Sequence, residues 1–147
     1  MAEFSNAAAA ETVTWTLEEM NAEILECARY GEPEDLETLL KAGANVNFVD
    51  GQGNTCMHKA AANGELECLQ VLKKFDAMHV PNMQGNTPLQ WAVQNKKKES
   101  ITYLVANFEV DMLLQNGMGI STLTDAFSTS GTNIIYRVAC ISITEDG

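Results

Sequence analysis

No run of apolar residues in this chain approaches the ~20 that a membrane span requires. The opening stretch, Met1 to Thr14, is Ala-rich and lacks the basic start and apolar core of a secretion signal. Positive charge is scarce, with nine Lys and Arg against twenty Asp and Glu, for a net charge of -11. Such a field repels phosphates, so nucleic acid is not an expected ligand. The four cysteines (Cys27, Cys56, Cys68, Cys140) show neither C-x-x-C nor any other zinc-binding spacing. Gly51-Gln52-Gly53 is a lone G-x-G without a third glycine, and no phosphate loop or G-x-S-x-G elbow occurs. Cys56-Met57-His58 brings a thiol near an imidazole in sequence, but close neighbours on a helix do not face each other. These absences leave no expectation of an enzyme, a cofactor or a bound metal.

What is present is repetition. Gly53-Asn54-Thr55-Cys56-Met57-His58-Lys59-Ala60-Ala61 overlays Gly85-Asn86-Thr87-Pro88-Leu89-Gln90-Trp91-Ala92-Val93. A weaker copy runs from Gly119 through Thr122-Leu123 to Phe127, and the opening glycines are 32 and then 34 residues apart. A fixed period of that length marks stacked helical hairpins, each leaving an apolar face that only its neighbour can cover. The residues suit the register. Gly53, Gly85 and Gly119 can take positive φ in a turn, Thr55 and Thr87 can cap the helix that follows, and Pro88 suits a first helical position. Ala60, Ala61 and Ala92 allow close approach within a hairpin. Second helices follow with apolar spacing at Leu36, Leu39, Leu40, then Leu66, Leu69, Leu72, then Ile101, Leu104, Val105. Gly43 ends the first of them, and Thr16 with Glu19 forms a capping box that starts the folded part near residue 16.

Thr87-Pro88-Leu89-Gln90-Trp91-Ala92 resembles the ankyrin signature T-P-L-H-x-A, with Gln90 in the place of His. Thr55 to Ala60 resembles it too, keeping His58 but carrying Cys56 in the Pro position. Upstream, Cys27 to Gly31 and Leu39 to Asn47 look like a first repeat that lacks its opening turn. The resemblance implies an all-α solenoid of stacked helix-turn-helix repeats with β-hairpin-like fingers. A disordered leader is expected over 1–15. Repeats are expected over about 18–50, 51–83 and 84–117, with a degenerate fourth over 118–147. In that fourth copy Arg137 falls at a normally apolar place. The apolar stretch Ile134 to Ile143 reads either as a packed half-repeat or as a sign that more protein follows, which is the reading we prefer. Lys96-Lys97 stands where the family has Gly-His, so a tighter or strained link is expected between the helices of repeat three.

The resemblance also locates candidate sites. His58 is expected to bond a neighbouring loop, whereas His79 is expected in solvent at a finger tip. Cys27 and Cys68 fall on apolar helix positions, and buried reduced thiols point to the cytoplasm or nucleus. Partners of the family are held by finger tips and first-helix faces. This implies a partner protein at Phe48, Asp50, Lys59, Met83, Trp91, Met118 and Asp125, with Trp91 either an anchor or local packing. Residues 18–50 hold nine acidic and two basic side chains, while the next two repeats balance. Glu32, Glu34, Asp35 and Glu37 read as a docking patch for a basic segment or as carboxylates favoured in a first helical turn. Asn47 resembles finger asparagines that become hydroxylated. The functional expectation is a non-catalytic adaptor, scaffold or chaperone-like module, and the alternative is a targeting domain of a larger enzyme such as a methyltransferase. The oligomeric state is left open.

Overall fold

The computed structural model of the protein describes residues 14–111 and 113–122. Six helices appear among them: α1 (Leu17–Tyr30), α2 (Pro33–Lys41), α3 (Cys56–Asn63), α4 (Leu66–Lys74), α5 (Pro88–Gln94) and α6 (Lys98–Asn107). Each odd-numbered helix pairs with the even-numbered one after it. The first helices α1, α3 and α5 then pack in one row, and the second helices α2, α4 and α6 in another. The solenoid read from the sequence is the fold observed. The leader and nearly all of the fourth copy, with Leu123, Asp125, Arg137, Cys140 and Ile134 to Ile143, lie outside the described residues.

The rows close because small and branched side chains alternate between them. Ala28, Ala60 and Ala92 are fully buried where helices cross, and Leu36, Leu39, Leu69, Leu72, Ile101 and Leu104 fill the space behind. Leu66 is the one expected core leucine that stays half-exposed. The starts follow the capping residues. Thr16 Oγ1 accepts from the Glu19 amide at 3.1 Å, while Glu19 accepts from the Thr16 amide at 2.8 Å. Thr55 and His58 form the same reciprocal box at α3, and the Thr87 hydroxyl caps α5 by accepting from the Gln90 amide.

Positive-φ residues end the first three helices: Gly31 (φ 74°), Gly43 (φ 114°) and Gly64 (φ 72°). Gly43 lies one residue past the α2 cap: its amide reaches Leu40 O and the Ala44 amide reaches Leu39 O, a Schellman closure. Two non-glycines take the same conformation, Asp76 (φ 60°) after α4 and Lys96 (φ 59°) after α5. The strained link expected at Lys96-Lys97 is therefore real and is carried by Lys96.

Candidate functional site

Three fingers share one geometry. In each, an Asp or Asn begins a tight turn: Asp50 Oδ1 accepts from the Gln52 and Asn54 amides, Asn82 Oδ1 from Gln84 and Asn86, and Asn116 Oδ1 from Met118 and Ile120, all at 2.8–3.0 Å. Such side-chain closure of a turn is what Asp and Asn do best. Successive fingers are then tied together. The Met83 amide donates to Gln52 O at 3.0 Å, and the Gly117 amide to Gln84 O at 2.7 Å. Beside these bonds, Asn82 Nδ2 reaches Asn54 Oδ1 at 2.8 Å and Asn116 Nδ2 reaches Asn86 Oδ1 at 2.7 Å. The asparagine ladder was not read from the sequence, although the recurrence of Asx at 50, 82 and 116 is its signal.

This ladder fixes what the fingers present. Met83 and Met118 stand at neighbouring tips, 76% and 83% exposed. Phe48 is half-buried against the core and offers only part of its ring. Lys59 pairs with Asp50 at 3.3 Å, so two of the expected contact residues hold each other. Burial opposes ionisation of Asp50, but bonds from the Asn54 and Gln52 amides, the Asn54 side chain and Lys59 hold its carboxyl below the usual range. Trp91 is half-buried and meets the His58 ring edge-on, with centroids 5.3 Å apart and planes at 77°. It packs locally and keeps part of its surface exposed. Asn47 is half-buried, and its Oδ1 accepts from the Met78 amide at 3.0 Å.

The acidic residues lie elsewhere. The fingers lead into the starts of the first helices, whereas Glu32, Glu34 and Asp35 follow the end of α1. One first helix, about 12 Å long for α3 at ~1.5 Å per residue, separates the two regions. An open cavity of about 390 Å³ is lined by Gly31, Glu32, Pro33, Glu34, Asp35 and Glu67. The Glu65 carboxylate lies where a side chain on Gly31 would stand. Glu65 and Glu67 thus extend the patch across the repeat boundary, which counting charge repeat by repeat concealed. Burial, then Glu32, raises the Glu23 carboxyl beside them. Glu37 is already committed, bonded to Lys74 and Lys41 at 3.1 Å each, which lowers its pKa.

The residues that chemistry would need are occupied. His58 Nε2 lies 2.7 Å from Asn86 O and its Nδ1 faces Thr55, so neither nitrogen is available to Cys56. Burial pushes the Cys27 and Cys68 thiols up to about 12 and raises Cys56 as well. Among the described residues, no three His, Cys, Asp or Glu side chains stand together as a metal site. None of the described helices is long and apolar enough to cross a membrane. His79, expected in solvent, is instead half-buried, because its Nε2 accepts from the Leu89 amide at 3.1 Å.

The profile of ankyrin repeats, in three copies, matches residues 24–116. The chain belongs to the ankyrin-repeat family. Its relatives include the nuclear factor NF-kappa-B p105 subunit of Gallus gallus, 34% identical over 79 residues, which are 51% of this chain and 8% of that protein. The E3 ubiquitin-protein ligase KEG of Arabidopsis thaliana is 36% identical over 70 residues, 46% of this chain and 4% of the ligase. The human SH3 and multiple ankyrin repeat domains protein 2 is 30% identical over 92 residues, 62% of this chain and 5% of that protein. The ankyrin chain thus spans less than a tenth of each of these relatives. Ankyrin repeats are generally protein–protein interaction modules and typically non-catalytic.

Proposed function

We propose that this ankyrin stack is a non-catalytic adaptor, scaffold or chaperone-like module that seats a partner protein along its finger tips and concave wall. The observation that carries this reading is the exposure of Met83 and Met118 on fingers locked together by paired backbone and asparagine bonds. Apolar groups held rigidly before binding lose little entropy on contact, which favours affinity. Trp91, partly exposed beside His58, would add an aromatic edge to that surface. The carboxylates around Gly31 favour a partner that also carries a basic segment, reaching the far end of the first helices. Three buried thiols suit a reducing compartment, the cytoplasm or nucleus. The field of these carboxylates argues against nucleic acid as the ligand.

The test is affinity capture of partners from lysate by the wild-type chain, by Trp91→Ala, and by a variant neutralised at Glu32, Glu34, Asp35 and Glu37. Circular dichroism verifies that each variant folds. Loss of a partner with Trp91→Ala, by roughly 30-fold in affinity for a ~2 kcal/mol anchor, supports the wall. Loss only with the neutralised variant moves the site to the α1–α2 turn. A second reading is that this is the targeting domain of a larger enzyme, and the small share matched in a relative named as a ubiquitin ligase favours it. A full-length transcript extending into a catalytic motif is its test.

A further inference from the structure

The two histidines of the chain hold the two ends of one short segment. Helix α5 opens with Asn86-Thr87-Pro88-Leu89. His58 holds the first of these residues, with Nε2 2.7 Å from Asn86 O. A carbonyl only accepts, so Nε2 carries the hydrogen. Nδ1 must then accept, and it does so from the Thr55 amide at 3.2 Å, with the Thr55 hydroxyl 3.0 Å away. His79 holds the last residue in the opposite tautomer, its bare Nε2 accepting from the Leu89 amide at 3.1 Å. Both rings work only as neutral imidazoles. A proton added to His58 would face the Thr55 N–H, and one added to His79 would face the Leu89 N–H.

We propose that His58 and His79 form an acid-released latch on the junction between repeats two and three. The adjoining junctions have no counterpart. Gln90 takes the place of His58 one repeat on, and its amide Nε2 donates to Ile120 O at 3.0 Å without titrating. One repeat earlier the matching residue is the buried Leu25. The charges around the latch are few. Asp50 on the first finger favours a charged His58, Lys59 on α3 opposes it, and His58 opposes a charge on His79. Lys73 on α4 and Glu109 beyond α6 share with His79 the lining of an open cavity of about 690 Å³. Burial is the largest influence: at His58 it outweighs the bond to Asn86 O and Asp50, at His79 it acts together with His58, and both imidazoles are pushed down to about 4.

The sign follows directly. With folded values near 4 and an unfolded value of 6.5, the opened junction binds more protons throughout that interval. The latch is therefore complete above pH 6.5 and weakens as pH falls toward 4, by at most tenfold per pH unit for one histidine and about a hundredfold for two. Above pH 5.5 most carboxylates stay ionised, so the histidines dominate there.

The experiment is native-state amide exchange of the full chain by NMR between pH 7 and 5.5, corrected for intrinsic rates. The opening constant of the α5 amides of Trp91, Ala92 and Val93 should rise about 8-fold for one histidine and about 65-fold for two between those pH values, and those of Ile24 and Leu25 in α1 far less. The double variant His58→Gln, His79→Gln should lose the difference. Equal slopes in α1 and α5, or an unchanged slope in the double variant, would overturn the latch. Should that variant fail to fold, imidazole resonances of the wild type decide: midpoints well below 6 with loss of Leu89 amide protection support it, and a midpoint near 6.5 with that amide intact refutes it.

Discussion

His58 and Gln90 stand at the same place in successive repeats, and each donates from Nε2 to the carbonyl that closes the next finger, at Asn86 (2.7 Å) and Ile120 (3.0 Å). One chain thus performs the same structural task with an imidazole and with an amide. His58→Gln should consequently cost under about 1 kcal/mol at pH 7, while His58→Leu, which removes one of the two bonds to the Asn86 carbonyl and the acceptor of the buried Thr55 amide, should cost about 1–3 kcal/mol. Urea denaturation of the two variants checks the contrast.

Lys96 holds a left-handed conformation that Gly31 and Gly64 supply in the earlier repeats. Lys96→Gly should relieve the clash between Cβ and the backbone and stabilise the fold by about 1 kcal/mol, even though glycine is the more flexible residue when unfolded. The corresponding change at Asp76 should gain less, since Asp tolerates this region better. Paired thermal melts would show the ranking.

Gly85 has φ 81°, and a Cβ there would stand 2.8 Å from the Asn116 Cα. Neither backbone can yield without breaking the bond from Gly117 to Gln84. We expect Gly85→Ala to cost about 2 kcal/mol or more in stability and to disorder the third finger, seen as loss of Gly117 amide protection.

The hydroxyl of Ser100 is fully buried on α6 and has no hydrogen-bond partner among the described residues. The matching residue in α4 is Cys68, whose thiol reaches Cys27 O at 3.7 Å. Ser100→Ala should therefore be neutral or stabilising by up to about 1 kcal/mol, against the usual cost of a core substitution. A drop in the urea midpoint would mean that the hydroxyl has a role this account misses.

The stack was legible because its determinants are local. Thr-x-x-His and Thr-x-x-Gln announce a cap, an alanine pair announces a close crossing, and the glycines at 53, 85 and 119 mark where φ turns positive. What escaped depends on register between repeats. The Asn82–Asn54 and Asn116–Asn86 bonds cross 28 and 30 residues. His79 looked like a tip residue because nothing near it in sequence shows that the Leu89 amide will come within reach. Charge misled for the same reason: Glu65 and Glu67 balance lysines in count, yet in space they join Glu32 and Glu34. Placing partner contacts was hardest, because an exposed Met83 and a half-buried Phe48 read alike in a string.

Photo-crosslinking tests the central claim most directly. A photoreactive residue is placed in turn at Met83, at Met118, and at the exposed Gln70 on α4, then activated in cells that express the full chain. Binding along the fingers predicts that the same partner protein is captured from positions 83 and 118 and not from 70. Capture from Gln70 with none from either methionine would contradict it and move the functional surface to the second helices.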